Sequence, residues 1–387
     1  MFKIQTLNNI SPRGLSQFEA DRYQVGSDIV DPDAILVRSQ VMHDMSFASS
    51  LKAVGRAGAG VNNIPIARLS ALGVPVFNTP GANANAVKEL VLVGLLMASR
   101  NIPQALRFVD GLTGDDAAMH KAVESGKKQF VGTELPGRTL GVIGLGAIGV
   151  KVANAAHALG MRVIGLDPKI TVENAWQLSS GVGQARSVEE VVAQADYLTF
   201  HVPLNDHTRN MLNAERLKLA KPGLVVLNFS REGVVESGLV REALDEGRLG
   251  GYVCDFPGVA LQGHPRVIAL PHLGASTHEA EENCAVMVVQ QVRDYLENGN
   301  IRNAVNFPEA MLPHAEGYRV CIANANVPNM LGQISSTLAG FSLNILDMLN
   351  KSKGDLAYTV VDVNQPIPAT ALAQLRAIDG VLAARAV

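Results

Sequence analysis

Three ionisable side chains of different chemistry stand directly after apolar runs of the kind that form buried strands. They are Arg231, Asp255 and His272, and ligands of open α/β sheets lie outside the carboxyl ends of the strands. An arginine can hold a carboxylate through a forked pair of hydrogen bonds. A histidine can take a hydroxyl proton while a hydride leaves the same carbon. The three residues therefore predict a hydride-transfer site, in which a bound cofactor supplies the redox chemistry.

Each of these side chains also has a purely structural interpretation. An arginine after a strand is often a surface ion-pair partner, and a histidine beside a proline can simply cap a turn. His201, at the end of another strand, is an alternative base by position alone, whereas His264 lies in a Gly/Pro loop and is expected to be exposed. A glycine motif in the same region favours a catalytic role for these side chains over a purely structural one.

That motif lies between two apolar runs and predicts a dinucleotide site. Residues 139–143 lead into Gly144-x-Gly146-x-x-Gly149, a helix of small residues follows, and a second strand-like run ends in Asp167. Gly144 allows a tight turn, Gly146 lets the backbone approach a pyrophosphate, and Gly149 lets the helix lie close to the sheet. The free N–H groups at the helix N-terminus would bind the phosphates.

The acid at the end of the second run indicates which dinucleotide is bound. Asp167 would accept hydrogen bonds from the ribose hydroxyls and would repel a 2′-phosphate. NAD is therefore favoured over NADP, although the nearby cation of Lys169 could tolerate a 2′-phosphate.

The composition is that of an ordinary soluble globular protein. Of 387 residues, 47% are hydrophobic and 18% are charged, which suits two or three domains with ample cores. The net charge of −3 gives no electrostatic reason to expect nucleic acid or an anionic membrane as a partner. The three cysteines form no CxxC pair, so we expect no metal site and a reducing, cytoplasmic location. The chain shows neither a signal peptide nor an apolar run long enough to span a bilayer.

Short apolar runs that alternate with helical patterns predict an α/β fold for the first three hundred or so residues. Strands are expected at residues 34–37, 53–55, 73–77, 197–200, 224–227, 251–253 and 267–270. Long helices are expected at 85–99 and 277–297, whereas residues 110–130 have the composition of a mobile connection. Continuous apolar strands are typical of parallel sheets that are buried on both faces.

The pattern changes after a proline-containing linker at residues 303–316. Strands and helices are then predicted in the order βαββαβ, at residues 319–323, 330–339, 344–349, 356–363, 369–378 and 381–387. This order, in about seventy residues, is that of a small split-βαβ domain.

Three stretches of the chain, at residues 55–63, 228–235 and 271–277, carry a family resemblance. They resemble signature stretches of the D-isomer-specific 2-hydroxyacid dehydrogenases, and more narrowly of the D-3-phosphoglycerate dehydrogenase branch, over nearly the whole chain. The resemblance implies two Rossmann-like, doubly wound parallel-sheet domains and a small C-terminal βαββαβ domain like the ACT regulatory module. The implied substrate-binding domain is discontinuous and comprises residues 1–95 and 275–302. The NAD-binding domain, residues 96–274, is inserted between these two segments. The ACT-like domain comprises residues 317–387.

The resemblance also implies a reaction, the NAD-dependent oxidation of D-3-phosphoglycerate to 3-phosphohydroxypyruvate in the first step of the phosphorylated pathway of serine biosynthesis. Two other functions stay open. One is an enzyme for another D-2-hydroxyacid, of the glyoxylate or hydroxypyruvate reductase type, and the other is a non-catalytic protein that senses NADH. The family implies a homodimer or homotetramer.

Carried over residue by residue, the resemblance assigns roles to the candidate side chains. Arg231 would hold the substrate carboxylate, and His272 would act as the acid and base. The residues expected to contact NAD are Gly144, Gly146, Ala147, Ile148 and Gly149 at the pyrophosphate, Asp167 at the ribose, and Val202, Phe229, Ser230 and Asp255 at the nicotinamide. The residues expected to contact the substrate are Arg56 at its phosphate, Arg38 as a second cation, and the backbone of Ala57, Gly58 and Ala59.

The chain departs from the family pattern at two positions. The family places a glutamate a few residues after the position of Asp255, paired with the histidine, but no acid follows Asp255 until Glu279. Either another segment orients His272, or the histidine titrates near the free-imidazole value of about 6.5. The resemblance implies an L-serine-type effector at the ACT-like domain, where Asn344 matches a family amide but Asn324 stands in place of a histidine of serine-sensitive members.

Overall fold

The computed structural model describes residues 1–314 and 316–387. The chain divides into two compact units, one formed by Met1–Asn83 with His278–Val387 and the other by Ala84–Thr277. The boundaries of the three domains expected from the sequence stay a prediction. Within the described residues, no helix is both long and apolar enough to cross a membrane.

The first 83 residues form a parallel sheet of five short strands. They contain β1 (Phe2–Leu7), α1 (Pro12–Leu15), β2 (Tyr23–Gly26), β3 (Ala34–Val37), β4 (Ala53–Arg56), α2 (Ile66–Ala71) and β5 (Val76–Phe77). The sheet order is β2-β1-β3-β4-β5, and all four pairs are parallel. The strands predicted at 34–37 and 53–55 are confirmed. The strand predicted at 73–77 is shortened to β5, because Pro75 has no backbone N–H to give to a neighbouring strand.

Residues 84–277 form a seven-stranded parallel sheet with helices between its strands. Its strands are β6 (Thr139–Ile143), β7 (Arg162–Leu166), β8 (Val182–Gln184), β9 (Tyr197–Phe200), β10 (Leu224–Asn228), β11 (Leu249–Cys254) and β12 (Val267–Ala269). Its helices are α3 (Ala84–Ser99), α4 (Ile102–Asp110), α5 (Asp116–Gly126), α6 (Ala147–Ala158), α7 (Val172–Gln177), α8 (Val188–Gln194), α9 (Ala214–Leu217) and α10 (Ser237–Asp245).

The strand order of this sheet is β12-β11-β10-β9-β6-β7-β8. The order therefore reverses between β6 and β9, from which the chain winds outward in both directions. Ligands of such sheets bind outside the carboxyl ends of the strands, at the point of reversal. The predicted glycine motif, which follows β6, stands at that point.

The segment at 110–130 is helical and is not the mobile connection that its composition predicts. Helix α5 begins after Asp115, whose side chain accepts a hydrogen bond from the backbone N–H of Ala118, and a 3₁₀ turn follows at Lys127–Phe130. The rings of Phe108 and Phe130 pack with their centroids 5.3 Å apart. The prediction was wrong because the helix cap and this ring contact, which stabilise the segment, are not visible in composition.

Residues 278–387 contain a long helix and an antiparallel four-stranded sheet. They form α11 (His278–Asn298), β13 (Tyr318–Ala325), α12 (Met330–Gly340), β14 (Ile345–Lys353), β15 (Leu356–Val363), α13 (Ala369–Ala377) and β16 (Val381–Ala386). The sheet order is β14-β15-β13-β16, and α12 and α13 share a core with one face of the sheet. The predicted fold class is confirmed: two parallel sheets with helices and a small βαββαβ domain.

The other face of this C-terminal sheet packs on α11. Cys321 and Tyr358 of the sheet lie in the same buried cluster as Tyr295 of the helix. Arg319 is fully buried, and its guanidinium donates to both carboxylate oxygens of Asp362 at 2.6 and 2.7 Å. Because the carboxylate and nearby backbone carbonyls satisfy this buried charge, β13 is held firmly against the end of α11.

Candidate active site

The turn between β6 and α6 has the shape that the glycine motif predicts. Gly144 has a φ of +93°, and a Cβ atom built there would lie 2.5 Å from the carbonyl oxygen of His201. A Cβ atom on Gly149 would lie 1.8 Å from the carbonyl oxygen of Gly144, whereas one on Gly146 would meet no atom within 4 Å. The first and third glycines therefore let the turn and helix pack, and the second leaves open space beside the helix N-terminus.

The groups that could hold a dinucleotide surround this turn. Ala147 and Ile148 begin α6, so their backbone N–H groups have no partner within the helix. At the end of β7, Oδ2 of Asp167 accepts a hydrogen bond from the backbone N–H of Leu145 at 2.9 Å. Its Oδ1 accepts a hydrogen bond from the backbone N–H of Lys169 at 2.8 Å. These bonds hold the carboxylate beside the turn, and each oxygen keeps a second lone pair for a ribose hydroxyl.

Three further residues expected at the nicotinamide follow β9 and β10. Val202 Cγ1 lies 2.9 Å from the position that a Cβ atom on Gly144 would take. Phe229 and Ser230 are buried directly after β10. A Cβ atom on Gly94 of α3 would lie 3.0 Å from the Phe229 ring, so the helix and ring are in close contact.

The two predicted catalytic residues and Asp255, which is expected at the nicotinamide, follow three neighbouring strands of the same sheet. The ends of β10, β11 and β12 lie side by side in register, and Arg231, Asp255 and His272 come directly after them. His272 is exposed, and its ring packs against that of Phe256 with the centroids 4.4 Å apart and the planes at 56°. The structure therefore brings the guanidinium, carboxylate and imidazole to one edge of the sheet and leaves the imidazole accessible.

Asp255 is the buried member of this group. It is 3% exposed, and its Oδ1 has no hydrogen-bond partner in the part of the chain that is described. Burial raises the pKa of Asp255, and the charges of His272 and Arg231 oppose that rise. A buried acceptor without a donor is costly, so this oxygen fits a ligand that brings an N–H group, such as the amide of a nicotinamide.

The turn that carries Arg231 is built by Asn228, a residue that sequence reasoning did not single out. Its Oδ1 accepts hydrogen bonds from the backbone N–H and the hydroxyl of Ser230, at 3.2 and 2.8 Å. Its Nδ2 donates to the carbonyl of Arg231 at 3.0 Å. The sequence signal that could have identified Asn228 is its position as a polar residue at the end of an otherwise apolar strand.

His201, the alternative base, and His264 are both more enclosed than His272. His201 is partly buried with Nε2 3.1 Å from Thr199 Oγ1, and burial lowers its pKa to about 4. The expectation that His264 is exposed is wrong, because its side chain is 7% exposed and its Nε2 lies 3.4 Å from Asp245. A turn rich in glycine and proline can fold back over a ring, which its composition does not reveal.

A cavity of about 500 Å³ adjoins Arg231. Arg209, Glu232 and Phe256 also form its wall. Glu232 was missed by the sequence analysis, and its Oε1 lies 3.3 Å from the position that a Cβ atom on Gly258 would take. It is therefore a second acid beside the loop in which the family places its glutamate.

The residues predicted to bind the substrate phosphate lie at the ends of β3 and β4 in the other unit. Arg56 Nε donates a hydrogen bond to the carbonyl of Arg38 at 3.0 Å, so the two arginines are adjacent. A Cβ atom on Gly58, which has a φ of +147°, would lie 1.9 Å from Arg56 Nη1, so only glycine leaves room for the guanidinium. The N–H of Ala57 and the carbonyl of Ala59 already form hydrogen bonds within this unit.

Arg38 has a partner that the sequence analysis did not predict. Its Nη2 lies 2.5 Å from Oε1 of Glu281 in the first turn of α11, and the two side chains are 36% and 39% exposed. An acid at this position also suits the positive end of the helix dipole. The two residues are 243 positions apart, so no local pattern links them.

The C-terminal sheet carries a separate cavity of about 220 Å³. The side chains of Asn324, Asn326, Asn329 and Asn350 are among those that line it. Asn344, the amide expected from the resemblance, is exposed and is not part of this wall. The cavity is therefore rich in amides, but Asn350 and not Asn344 contributes the amide from β14.

Comparison with known proteins agrees with this geometry. Residues 93–274 match the sequence model of the family "D-isomer specific 2-hydroxyacid dehydrogenase, NAD binding domain", which confirms NAD as the expected cofactor. A D-3-phosphoglycerate dehydrogenase of Haemophilus influenzae is 34% identical over 351 residues, which cover 87% of this chain and 82% of that protein. A D-3-phosphoglycerate dehydrogenase of Methanocaldococcus jannaschii is 35% identical over 87% of this chain, but the match spans only 62% of that protein.

Solved structures share the fold. A 3-phosphoglycerate dehydrogenase of Entamoeba histolytica has a TM-score of 0.60 at 24% identity, over 79% of this chain and 98% of that one. A D-mandelate dehydrogenase of Rhodotorula graminis has a TM-score of 0.68 at 21% identity, over 81% of this chain and 99% of that one. With the extended match to the Haemophilus influenzae protein, these findings show that the chain belongs to the D-isomer-specific 2-hydroxyacid dehydrogenase family.

Proposed function

We propose that this protein catalyses the NAD-dependent oxidation of D-3-phosphoglycerate to 3-phosphohydroxypyruvate, the first step of the phosphorylated pathway of serine biosynthesis. The observation that carries the proposal is the group of Arg231, Asp255 and His272 at one edge of the sheet. Relatives named D-3-phosphoglycerate dehydrogenase support the substrate. The adjacent arginines Arg38 and Arg56 support a substrate that carries a phosphate.

The residues proposed to hold NAD lie around the glycine turn and the adjoining strand ends. They are Gly144, Gly146, Ala147, Ile148 and Gly149 at the pyrophosphate, Asp167 at the ribose, and Val202, Phe229, Ser230 and Asp255 at the nicotinamide. When bound, NAD takes up a hydride from the carbon that bears the substrate hydroxyl. Asp255 would orient the nicotinamide by accepting an amide N–H at its otherwise unsatisfied Oδ1.

Arg231 and His272 are proposed to handle the substrate directly. The guanidinium fork of Arg231 would bind the carboxylate next to the reacting carbon. His272 would accept the hydroxyl proton while the C–H bond breaks, so that the oxygen becomes a carbonyl and the proton stays on the imidazole. Because the ring is exposed, the proton can then pass to water. Reduction of the oxo acid uses the same ring as the proton donor.

A substrate panel tests this function. Oxidation of NADH is followed with 3-phosphohydroxypyruvate, hydroxypyruvate and glyoxylate, and we expect kcat/KM for the phosphorylated acid to be about tenfold higher or more. A higher kcat/KM for hydroxypyruvate or glyoxylate would identify another D-2-hydroxyacid enzyme. Tight NADH binding without turnover of any acid would identify an NADH-sensing protein.

Replacement of Asp167 tests the cofactor assignment. Asp167→Ala removes charge-assisted bonds of about 1.5–3 kcal/mol, so KM for NAD should rise about ten- to a hundredfold and the preference over NADP should narrow. Asp167→Asn removes the charge but keeps one acceptor oxygen beside the turn, so its comparison with Asp167→Ala separates the effect of the charge from that of the remaining hydrogen bond. Comparable use of NAD and NADP by the unmodified enzyme would contradict the assignment.

Replacement of Asp255 tests which acid acts on His272. A carboxylate favours the protonated form of a nearby imidazole, and Asp255 interacts electrostatically with His272. Oxidation needs the neutral ring and reduction needs the protonated ring, so Asp255→Asn should shift the acidic limb of oxidation and the alkaline limb of reduction to lower pH. Profiles of kcat/KM against pH measure both limbs. Glu232→Gln is the control, and a shift in that variant alone would assign the role to Glu232.

The C-terminal domain is proposed to be an ACT domain that binds a small amino-acid effector of the L-serine type. The amide-lined cavity supports this, because amides offer donors to a carboxylate and acceptors to an ammonium group. Calorimetric titration of the full chain with L-serine should detect binding. The Asn350→Ala variant should bind L-serine more weakly, and D-serine should not bind to the unmodified protein. Absence of binding heat with L-serine at millimolar concentration would refute this assignment.

A homodimer or homotetramer and a cytoplasmic location are also proposed. Helices α3, α4 and α5 expose large apolar side chains, and such surfaces commonly mark contacts with another chain. These side chains, 38–56% exposed, are Val93, Leu96, Ile102, Leu106, Val109 and Val123. The three cysteines are free and buried, which suits a reducing compartment. Sedimentation of the full chain measures the assembly state.

A further inference from the structure

An acid stands within the arginine cluster that is proposed to bind the substrate phosphate. Glu281 Oε1 lies 2.5 Å from Nη2 of Arg38. The Arg56 side chain is anchored on the backbone carbonyl of the same Arg38. Glu281 in the first turn of α11 therefore pairs with one arginine of the proposed phosphate site, and the side chain of the other arginine is bonded to the backbone of that same residue. A phosphate group would bring a second anion to Arg38.

The thiol of Cys284, in the next turn of the helix, lies near enough to all three charged groups to interact with each of them. The thiol is buried, and burial raises its pKa. The guanidiniums of Arg56 and Arg38 oppose that rise, and the carboxylate of Glu281 adds to it. All three charged groups thus act on one buried atom, which supports their treatment as a single cluster.

The ion pair between Arg38 and Glu281 is weak enough for a phosphate group to displace the carboxylate from Arg38. Both side chains are more than a third exposed, and ion pairs that exposed to water are weak. Hydrogen bonds between a guanidinium and a doubly charged phosphate are stronger, because both partners are charged and the guanidinium can donate two of them in parallel. A phosphate that bridges the two arginines would therefore displace the carboxylate from Arg38.

We propose that Glu281 determines specificity at the phosphate site by competing with the substrate phosphate for Arg38. The inference rests on the proposed function and adds an internal competitor to it. A phosphorylated substrate must break the Arg38–Glu281 pair, whereas an unphosphorylated acid leaves the pair intact. Phosphate binding is consequently weaker than the two arginines alone would allow.

The test uses inorganic phosphate as the probe and the full chain as the protein. Glu281→Gln removes the competing charge, so calorimetry at pH 8 and low ionic strength should show phosphate binding about fivefold tighter. Glu282→Gln is the matched control, because it makes the same charge change one residue further along the helix. Glu282 pairs with Arg13, whose side chain is 69% exposed, at 2.6 Å. The control should bind phosphate as the unmodified protein does.

Kinetics provide the second readout. In Glu281→Gln, KM for 3-phosphohydroxypyruvate should fall about as much as the phosphate affinity rises, and KM for hydroxypyruvate should stay unchanged. Unchanged or weaker phosphate binding in Glu281→Gln would overturn the inference, because Glu281 would then only position Arg38. Absence of phosphate binding in every variant would overturn it as well. The proposed function is judged separately, by the substrate panel with the unmodified enzyme.

Discussion

Replacing His272 with asparagine should lower kcat by about two to four decades while NADH binding stays near normal. The imidazole is exposed beside Arg231 and Asp255, so its loss removes the proton acceptor and leaves the sheet that binds the cofactor intact. In the variant, any dependence of kcat/KM on the protonation of this imidazole should be lost. Steady-state kinetics in both directions and fluorescence titration with NADH measure these effects.

The matched control for this prediction is His264→Asn. His264 is enclosed beside Asp245, and its Nδ1 accepts a hydrogen bond from the backbone N–H of Arg266, which an asparagine oxygen can also accept. Its turnover should stay near normal. A His272 variant with near-normal turnover would remove His272 from the mechanism and direct attention to His201. Burial lowers the pKa of His201 to about 4, so at neutral pH that ring is uncharged and lacks a proton to give to the oxo acid.

Replacing Arg56 with alanine should raise KM for D-3-phosphoglycerate about ten- to a hundredfold. The reason is the loss of charge-assisted hydrogen bonds to the phosphate, which contribute about 1.5–3 kcal/mol. Arg56 Nε is anchored on the carbonyl of Arg38, and Gly58 leaves the space that the guanidinium fills. The measurement is KM for D-3-phosphoglycerate and for D-glycerate, whose KM should change far less because it has no phosphate.

Arg13→Ala is the control for removal of an arginine from the same unit. Its guanidinium forms one exposed ion pair with Glu282, which contributes little to stability, so both KM values should stay within about twofold. If Arg56→Ala raises KM equally for the phosphorylated and unphosphorylated substrates, the phosphate binds elsewhere. If kcat falls for both substrates instead, Arg56 supports the site as a whole.

The nucleotide-binding turn could be predicted from the sequence because the interactions that shape it are local. Gly144 and Gly149 contact each other across a single turn, and Asp167 binds the backbone of Leu145 from the end of the next strand. The apolar runs at β3 and β9 form strands where they were expected, since continuous burial selects the same residue types wherever it occurs. Helix α5 was missed, because its stability depends on a cap and a ring contact that composition does not express.

By itself, the sequence determined the alternation of strands and helices, the dinucleotide turn and the residue types at the strand ends, because hydrophobic periodicity and glycine turns act between near neighbours in the chain. Only the tertiary structure decided how the charged groups are paired and how deeply they are buried. Arg38 and Glu281 meet across 243 positions, Asp255 loses water and keeps an unsatisfied oxygen, and His264 is enclosed. Ion pairing and desolvation depend on which segments the folded sheets bring together, and a linear pattern of residue types does not contain that information.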